Sequence, residues 1–331
     1  MTAAFIPLRI MSVLWSFIHN RWSAPPLTSL TTTAITGKTV LVTGASGGLG
    51  LEAARHYARL GAARVILGVR SQSKGESAKK SIDDSLKLTG GIGADTGDGK
   101  KVDAKGGAII DVWIVDLASF ASVQDFADRV IKELDTLDIA VLNAAVTKSA
   151  FTPTSDGWEE TVQVNTLSTV LLALLILPKL KASSVGGVGD QVPRLEFVAS
   201  RAHQYVKEGE WWQSEPNFLA ALNNPEAFGS SSNRYGISKL FLIYCVREIA
   251  AITAIDSNGK PSVIVNYTCP GACKSDLARE WRISWIKSLF LRLLQEIICK
   301  TTEEGSRTLV FATCLGMESH GKWIHNDRIE E

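Results

Sequence analysis

The chain has 331 residues, with 35 Lys and Arg against 34 Asp and Glu, 45% hydrophobic and 8% aromatic residues, and 27 Gly against 10 Pro. That balance excludes wholesale disorder, a fibrous repeat and a disulfide-stapled miniprotein, and a formal net charge of +1 gives no field to hold a nucleic acid. Length alone points to about two domains and a large core. Five cysteines, an odd number without CxxC spacing, fit free thiols in a reducing, cytoplasmic setting.

Residues 1–35 read as an apolar extension and linker. Leu8 to Ile18 is apolar but short and interrupted by Arg9, below the length of a membrane span. It lacks the small-residue cleavage site of a signal peptide. Two readings stay open for it, a short amphipathic helix packed on the protein and a peripheral membrane contact. After Pro25-Pro26 and a Thr-rich linker, Lys38 to Thr43 is a buried strand bounded by glycines. A glycine-rich turn follows, then helical spacing from Leu51 to Leu60, then a second strand from Arg64 to Arg70, so the opening is βαβ.

Further strands are predicted at Ile109 to Val115, Asp138 to Leu142, Arg194 to Ala199 and Val263 to Tyr267, separated by helices such as Thr161 to Leu177. This alternation predicts an α/β fold with a doubly wound parallel sheet, a single domain over residues 36–325 and a tail at 326–331. Thr89 to Gly107, rich in Gly, Asp and Lys, reads as a flexible insertion inside that domain. Gln204 to Asn233, with Trp211-Trp212, reads as a surface excursion near the ligand mouth.

Thr43-Gly44-Ala45-Ser46-Gly47-Gly48-Leu49-Gly50 lies directly between strand and helix. Glycines there let the backbone approach a pyrophosphate, and the N–H groups at a helix start favour its charge, so a dinucleotide is expected. At the end of the second strand an acidic residue would bind the ribose of NAD and a basic one the 2′-phosphate of NADP. The chain has Arg70 there and Lys74 one turn on, which points to NADP(H); a solvated strand-end charge is the plainer alternative. Tyr235 and Lys239, four residues apart, share a face if helical. A nearby ammonium would lower the phenol pKa, as a proton donor to a carbonyl oxygen requires. Ser200 and Asn143 fall at strand ends, where an open parallel sheet lines its ligand crevice, and Asn165 stands in Val164-Asn165-Thr166. The histidines show no metal-ligand spacing, and a catalytic metal is not expected.

The glycine turn, Asp116-Leu117, Asn143-Ala144-Ala145-Val146, Asn165, Ser200, Tyr235/Lys239 and Pro270-Gly271 stand in the order of the short-chain dehydrogenase/reductase family, which the chain resembles over about residues 36–325. Leu51 to His56 and Glu303 to Arg307 are similar to its fungal branch of secondary-metabolite tailoring reductases. The resemblance implies a Rossmann-like fold. It makes Tyr235 the general acid/base and Lys239 the holder of the nicotinamide ribose and depressor of the Tyr235 pKa. Ser200 would bond the substrate oxygen, and Asn165 would anchor a water-linked proton relay. It places Thr43, Gly44, Ser46, Gly48, Leu49 and Gly50 at the pyrophosphate, Asp116 and Leu117 at the adenine, and Asn143, Ala144 and Ala145 beside the cofactor ribose. Pro270, Gly271 and Ser275 fall near the nicotinamide. Ala145-Val146 where Ala-Gly is usual, and Ser275 for Thr, depart from the pattern.

Residues 276–300, with WRISWIKSLFLRLLQEIIC at their centre, read either as an apolar substrate lid or as a plain packing helix. Basic residues on its polar side also permit a membrane contact. The resulting expectation is an NADPH-dependent carbonyl reductase or alcohol dehydrogenase acting on a bulky apolar, aromatic or polyketide-like ketone or alcohol. The rival is a redox-neutral use of the same scaffold in dehydration, epimerisation or cyclisation; a non-catalytic NADP-sensing protein is a third reading. Homo-oligomers, dimers or tetramers, are usual in the family the chain resembles, while the extended N-terminus and the insertion leave the oligomeric state open.

Overall fold

The computed structural model describes residues 23–30, 32–88, 107–184, 192–207, 216–253, 260–274, 277, 298–325 and 327–330. The apolar segment 8–18, nearly all of the insertion 89–107, Trp211-Trp212, Ser275 and most of the segment 276–300 lie outside the described residues.

Strand β1 (Thr39–Thr43) leads through the glycine turn into helix α1 (Gly48–Arg59) and strand β2 (Arg64–Val69). Helix α2 (Gln72–Leu88), β3 (Ile109–Ile114), α3 (Phe120–Glu133) and β4 (Ile139–Leu142) complete the first half. A long helical stretch then ends in α4 (Thr169–Ser184), followed by β5 (Arg194–Val198), α5 (Ser231–Thr253), β6 (Ile264–Cys269), α6 (Thr302–Cys314), β7 (Trp323–His325) and β8 (Arg328–Glu330). The sheet order is β3-β2-β1-β4-β5-β6-β7-β8, all parallel but for the β7–β8 pair. The order reverses between β1 and β4, and that switch opens a crevice at the strands' carboxyl ends.

Period-2 alternation divides the sheet between two cores. Leu41 and Ile66 face Phe126, Leu172 and Val246, whereas Val40, Val42 and Leu67 face Ala53, Ile82 and Leu309. Each such fully buried aliphatic side chain contributes about 1.5–3 kcal/mol. The strands buried on both faces read as the continuous apolar runs the sequence displays. Across the helices, α6 is tied to α1 by Tyr57 Oη and Thr313 Oγ1 at 3.0 Å.

Three expectations change. The predicted tail is part of the sheet: β8 pairs antiparallel with β7, Ile324 opposite Ile329, so the fold runs past residue 325. The predicted helix from Thr161 to Leu177 is longer and irregular, beginning at Glu160–Val162 and widening into a π-helical stretch at Gln163–Ser168 before α4. The surface excursion contains a helical piece, Phe218–Leu222, whose Leu222 is buried with Ile237. Among the described residues one helical stretch, Glu160–Ser183, is long and apolar enough to cross a membrane, but 67% of its most apolar window is buried inside this fold. It is apolar all round because it lies between the sheet and its neighbouring helices.

Candidate active site

The glycine turn is built by two kinds of glycine. A Cβ at Gly44 would come within 2.9 Å of Ala144 Cα, and one at Gly50 within 2.6 Å of the Gly44 carbonyl oxygen, so these two allow backbone to pack on backbone. A Cβ at Gly47 or Gly48 would meet nothing within 4 Å. Those two positions face open space at the N-terminus of α1, whose first turn has no side-chain cap. A cradle with uncapped N–H groups fits a pyrophosphate. Thr43 closes its back: its Oγ1 accepts from the backbone N–H of Asn143 (3.0 Å) and Ala144 (3.1 Å), and Asn143 Nδ2 donates to the Thr43 carbonyl oxygen at 2.9 Å. Asn143 therefore staples β1 to β4 across the switch point. At the β3 end, Asp116 Oδ1 accepts from the Ala118 N–H at 3.0 Å and Leu117 is buried.

Arg70 stands one residue past β2, exposed, with Nη1 4.0 Å from Glu160 Oε1. Lys74 is exposed on α2. Ser46 and Leu49 line the turn itself, and Ala145 follows Ala144 into the loop after β4.

On the other side of the crevice, α5 presents Tyr235 and Lys239 one turn apart. The Ser200 side chain lies near enough to the Tyr235 phenol to favour its ionised form. Ser200, directly after β5 and Ala199, accepts from the Ala202 N–H at 3.2 Å as the cap of a short 3₁₀ turn. Lys239 is buried, donates from Nζ to the Val198 carbonyl oxygen at 2.8 Å, and lies 5.9 Å from the centre of the Tyr235 ring. Burial pushes the Lys239 ammonium down to about 8. Although part of Tyr235 faces the crevice, the dense surroundings push its phenol up to about 12, with the Ser200 side chain opposing. Lys239 is not among the groups that act on the phenol, so the expected lowering gives way to a rise set by desolvation.

Asn165 occupies the π-helical stretch and is fully buried. Its Oδ1 accepts from the Val146 N–H at 2.8 Å, and its Nδ2 donates to the Val146 carbonyl oxygen (2.9 Å) and Ser238 Oγ (3.1 Å). Ser238 Oγ in turn donates to the Tyr235 carbonyl oxygen. The side-chain amide is thus engaged by protein groups and ties the loop after β4 to the Tyr235 helix. Pro270 and Gly271 (φ +81°) turn the chain after β6, and the buried Lys300 donates to the Pro270 carbonyl oxygen at 3.3 Å. Among the described residues no group of three or more His, Cys, Asp or Glu side chains is gathered for a metal ion.

The model of the short chain dehydrogenase family matches residues 38–105 and 98–188. The short-chain dehydrogenase/reductase ffsI of Aspergillus flavipes is 36% identical over 302 residues, covering 90% of this chain and 79% of its own length. The short chain dehydrogenase atnD of Emericella nidulans is 35% identical over 316 residues, 95% of this chain and 91% of that one. The chain belongs to the short-chain dehydrogenase/reductase family. Solved structures agree on the fold. A short-chain type dehydrogenase/reductase from Mycobacterium marinum superposes with a TM-score of 0.61 at 17% identity, covering 91% of this chain and 98% of that one. The L-sorbose reductase of Gluconobacter frateurii, complexed with NADPH and L-sorbose, gives 0.60 at 19%, covering 88% and 96%.

Against the short-chain dehydrogenase/reductase pattern, sequence reasoning missed three things at this crevice. One is the π-helical widening that holds Asn165. Another is the buried Lys300 beneath Pro270. The last is the Lys148–Glu160 ion pair at 3.1 Å beside Arg70. Only Glu160 left a signal, as the second of two adjacent carboxylates opening a helix: Glu159 caps it by accepting from Thr161 and Val162 N–H groups at 3.0 Å, so its neighbour is turned elsewhere.

Proposed function

We propose that the protein is an NADPH-dependent carbonyl reductase, or in reverse an alcohol dehydrogenase, acting on a bulky apolar, aromatic or polyketide-like ketone or alcohol of fungal secondary metabolism. The observation that carries the reading is the convergence of Tyr235, Ser200 and Lys239 at the crevice edge opposite an open, uncapped glycine turn. Thr43, Gly44, Ser46, Gly48, Leu49 and Gly50 would hold the cofactor pyrophosphate, and Arg70 with Lys74 its 2′-phosphate. Asp116 and Leu117 would take the adenine, Asn143 to Ala145 and Lys239 the ribose, and Pro270, Gly271 and Ser275 the nicotinamide. Bound NADPH would supply the hydride.

Tyr235 then holds the proton for the substrate oxygen, and Ser200 donates a hydrogen bond to that oxygen as charge develops on it. A phenol that stays neutral through the physiological range is suited to donating. Asn165 keeps the Tyr235 helix and the loop after β4 in register. The apolar substrate class rests on the sequence of 281–299 and on Trp211-Trp212. The unit responsible is the single domain from residue 36 onward.

The test is a titration of the purified protein with NADPH and with NADH, following energy transfer from tryptophan, then a screen of aromatic ketones for stoichiometric NADPH oxidation. Tighter binding of NADPH that collapses in Arg70→Ala, with one NADPH consumed per alcohol formed, supports the reading. Preference for NADH, or product formed without net cofactor change, overturns it.

A further inference from the structure

Three charged side chains from three segments meet beside the adenosine end of the crevice. Arg70 follows β2, Lys148 lies in the loop after β4, and Glu160 opens the helical stretch that leads to Asn165. Glu160 divides its carboxylate between the two cations: Oε2 is 3.1 Å from Lys148 Nζ, and Oε1 is 4.0 Å from Arg70 Nη1. The two pairs differ in kind. Lys148 and Glu160 are 17% and 12% exposed, so their contact is short and shielded. Arg70 is 59% exposed and beyond hydrogen-bond distance, so its attraction to Glu160 is weak and easily redirected.

We propose that Glu160 competes with the cofactor 2′-phosphate for Arg70, and that Lys148, by neutralising Glu160, limits this competition and so sets how strongly the site prefers NADPH over NADH. The inference rests on Arg70 being the 2′-phosphate ligand. A phosphate dianion takes a guanidinium in a bidentate grip that the distant carboxylate does not make, so Arg70 turns to the phosphate when NADPH is present. The remaining charge of Glu160 repels the same phosphate, and Lys148 offsets it. Without Lys148 the carboxylate faces both Arg70 and the phosphate unbalanced. NADH, which carries no 2′-phosphate, lacks the group that Arg70 grips and Glu160 repels. Glu160 and Lys148 act through Arg70 and are positioning residues.

The experiment measures the dissociation constants of NADPH and NADH by tryptophan energy transfer for the parent, Glu160→Gln, Lys148→Met and the double variant. Glu160→Gln is expected to tighten NADPH by up to about fivefold, the upper end for an exposed pair, and Lys148→Met to weaken it by a similar factor. Neither changes NADH, and Glu160→Gln suppresses the effect of Lys148→Met in the double variant. Both effects shrink as salt is raised. Equal changes toward both cofactors, or none, overturn the proposal. A preference that vanishes in Arg70→Ala while Glu160→Gln is silent removes the role of Glu160 and leaves the cofactor assignment standing. An absence of NADPH preference in the parent protein removes the assignment beneath it.

Discussion

Lys239 donates to the carbonyl oxygen of Val198, two residues before Ser200, at 2.8 Å. The contact fastens the helix that carries Tyr235 to the end of the strand that carries Ser200, so the phenol and the hydroxyl meet through a third group buried behind them. Lys239 thus has a structural task as well as a proposed one at the ribose.

Replacing Tyr235 by Phe removes the proton donor and keeps the ring. Turnover is expected to fall by about 10²-fold or more, while the NADPH dissociation constant stays within a factor of two or so of the parent. Ser200→Ala is expected to lower turnover less, since one donor to the substrate oxygen is lost and the proton remains. Steady-state kinetics beside a cofactor titration decide the matter; a Tyr235→Phe protein with parental turnover assigns the acid elsewhere.

Lys239 titrates at about 8 when folded against 10.5 in its ordinary state. Below pH 8 both states hold the proton. Between about 8 and 10.5 the folded state has released it and the unfolded state has not, so folding gains stability as pH rises through that window. Relative to Lys239→Met, the parent should gain about 2 kcal/mol between pH 7 and pH 9.5. Urea unfolding of both proteins at the two pH values measures this. A difference that does not move with pH would mean that the ammonium is better solvated than its burial implies.

Glu196 sits inside β5 with no exposed surface; Oε1 accepts from Thr268 Oγ1 at 2.7 Å, and Oε2 has no hydrogen-bond partner among the described residues. Burial raises its carboxyl well above the usual range, so it stays protonated in the fold while the unfolded chain ionises. Its contribution is complete in acid and is lost as pH rises from the ordinary carboxylate pKa toward the folded one. Glu196→Gln abolishes that slope. Its melting temperature relative to the parent should therefore be higher at pH 8 than at pH 5, and an equal difference at both would contradict the assignment.

The two kinds of glycine in the first turn separate stability from cofactor affinity. Gly50→Ala drives a methyl group against the Gly44 carbonyl oxygen and Asn143 Nδ2. It should cost about 1–3 kcal/mol in denaturant unfolding. Gly47→Ala meets no protein atom in an extended backbone, so it should leave unfolding unchanged while weakening NADPH by filling the cradle. Parental NADPH affinity in folded Gly47→Ala would place the pyrophosphate elsewhere.

Five of the six strands read from the sequence are buried on both faces; the sixth, β3, lies at the sheet edge with Ile109 and Ile114 exposed, and was legible from its β-branched and aromatic residues. β7 and β8 went unread because three residues each are too short for any period to register, and Trp323-Ile324-His325 mixes ring types. The turn around Gly44 and the Tyr235/Lys239 spacing were legible because φ above zero and helical geometry leave few residue choices. Asn165 was found as a residue and missed as a shape, since no side-chain pattern distinguishes a π-helical stretch from an ordinary helix. Lys148 and Glu160 are 12 residues apart, and only the loop between them brings their charges together.

The wide stretch at Gln163–Ser168 makes this helix tolerant in one direction and brittle in the other. α4 after it is anchored in the core by Leu172, Ala173, Ile176, Leu177 and Leu180, so a one-residue deletion within the wide stretch would be absorbed upstream. The helix would heal into regular pitch, and its beginning would swing by about 100°. Asn165 would then leave Val146, and Glu160 would leave Arg70 and Lys148, in a single step. This segment has to preserve its length as well as the amide of Asn165.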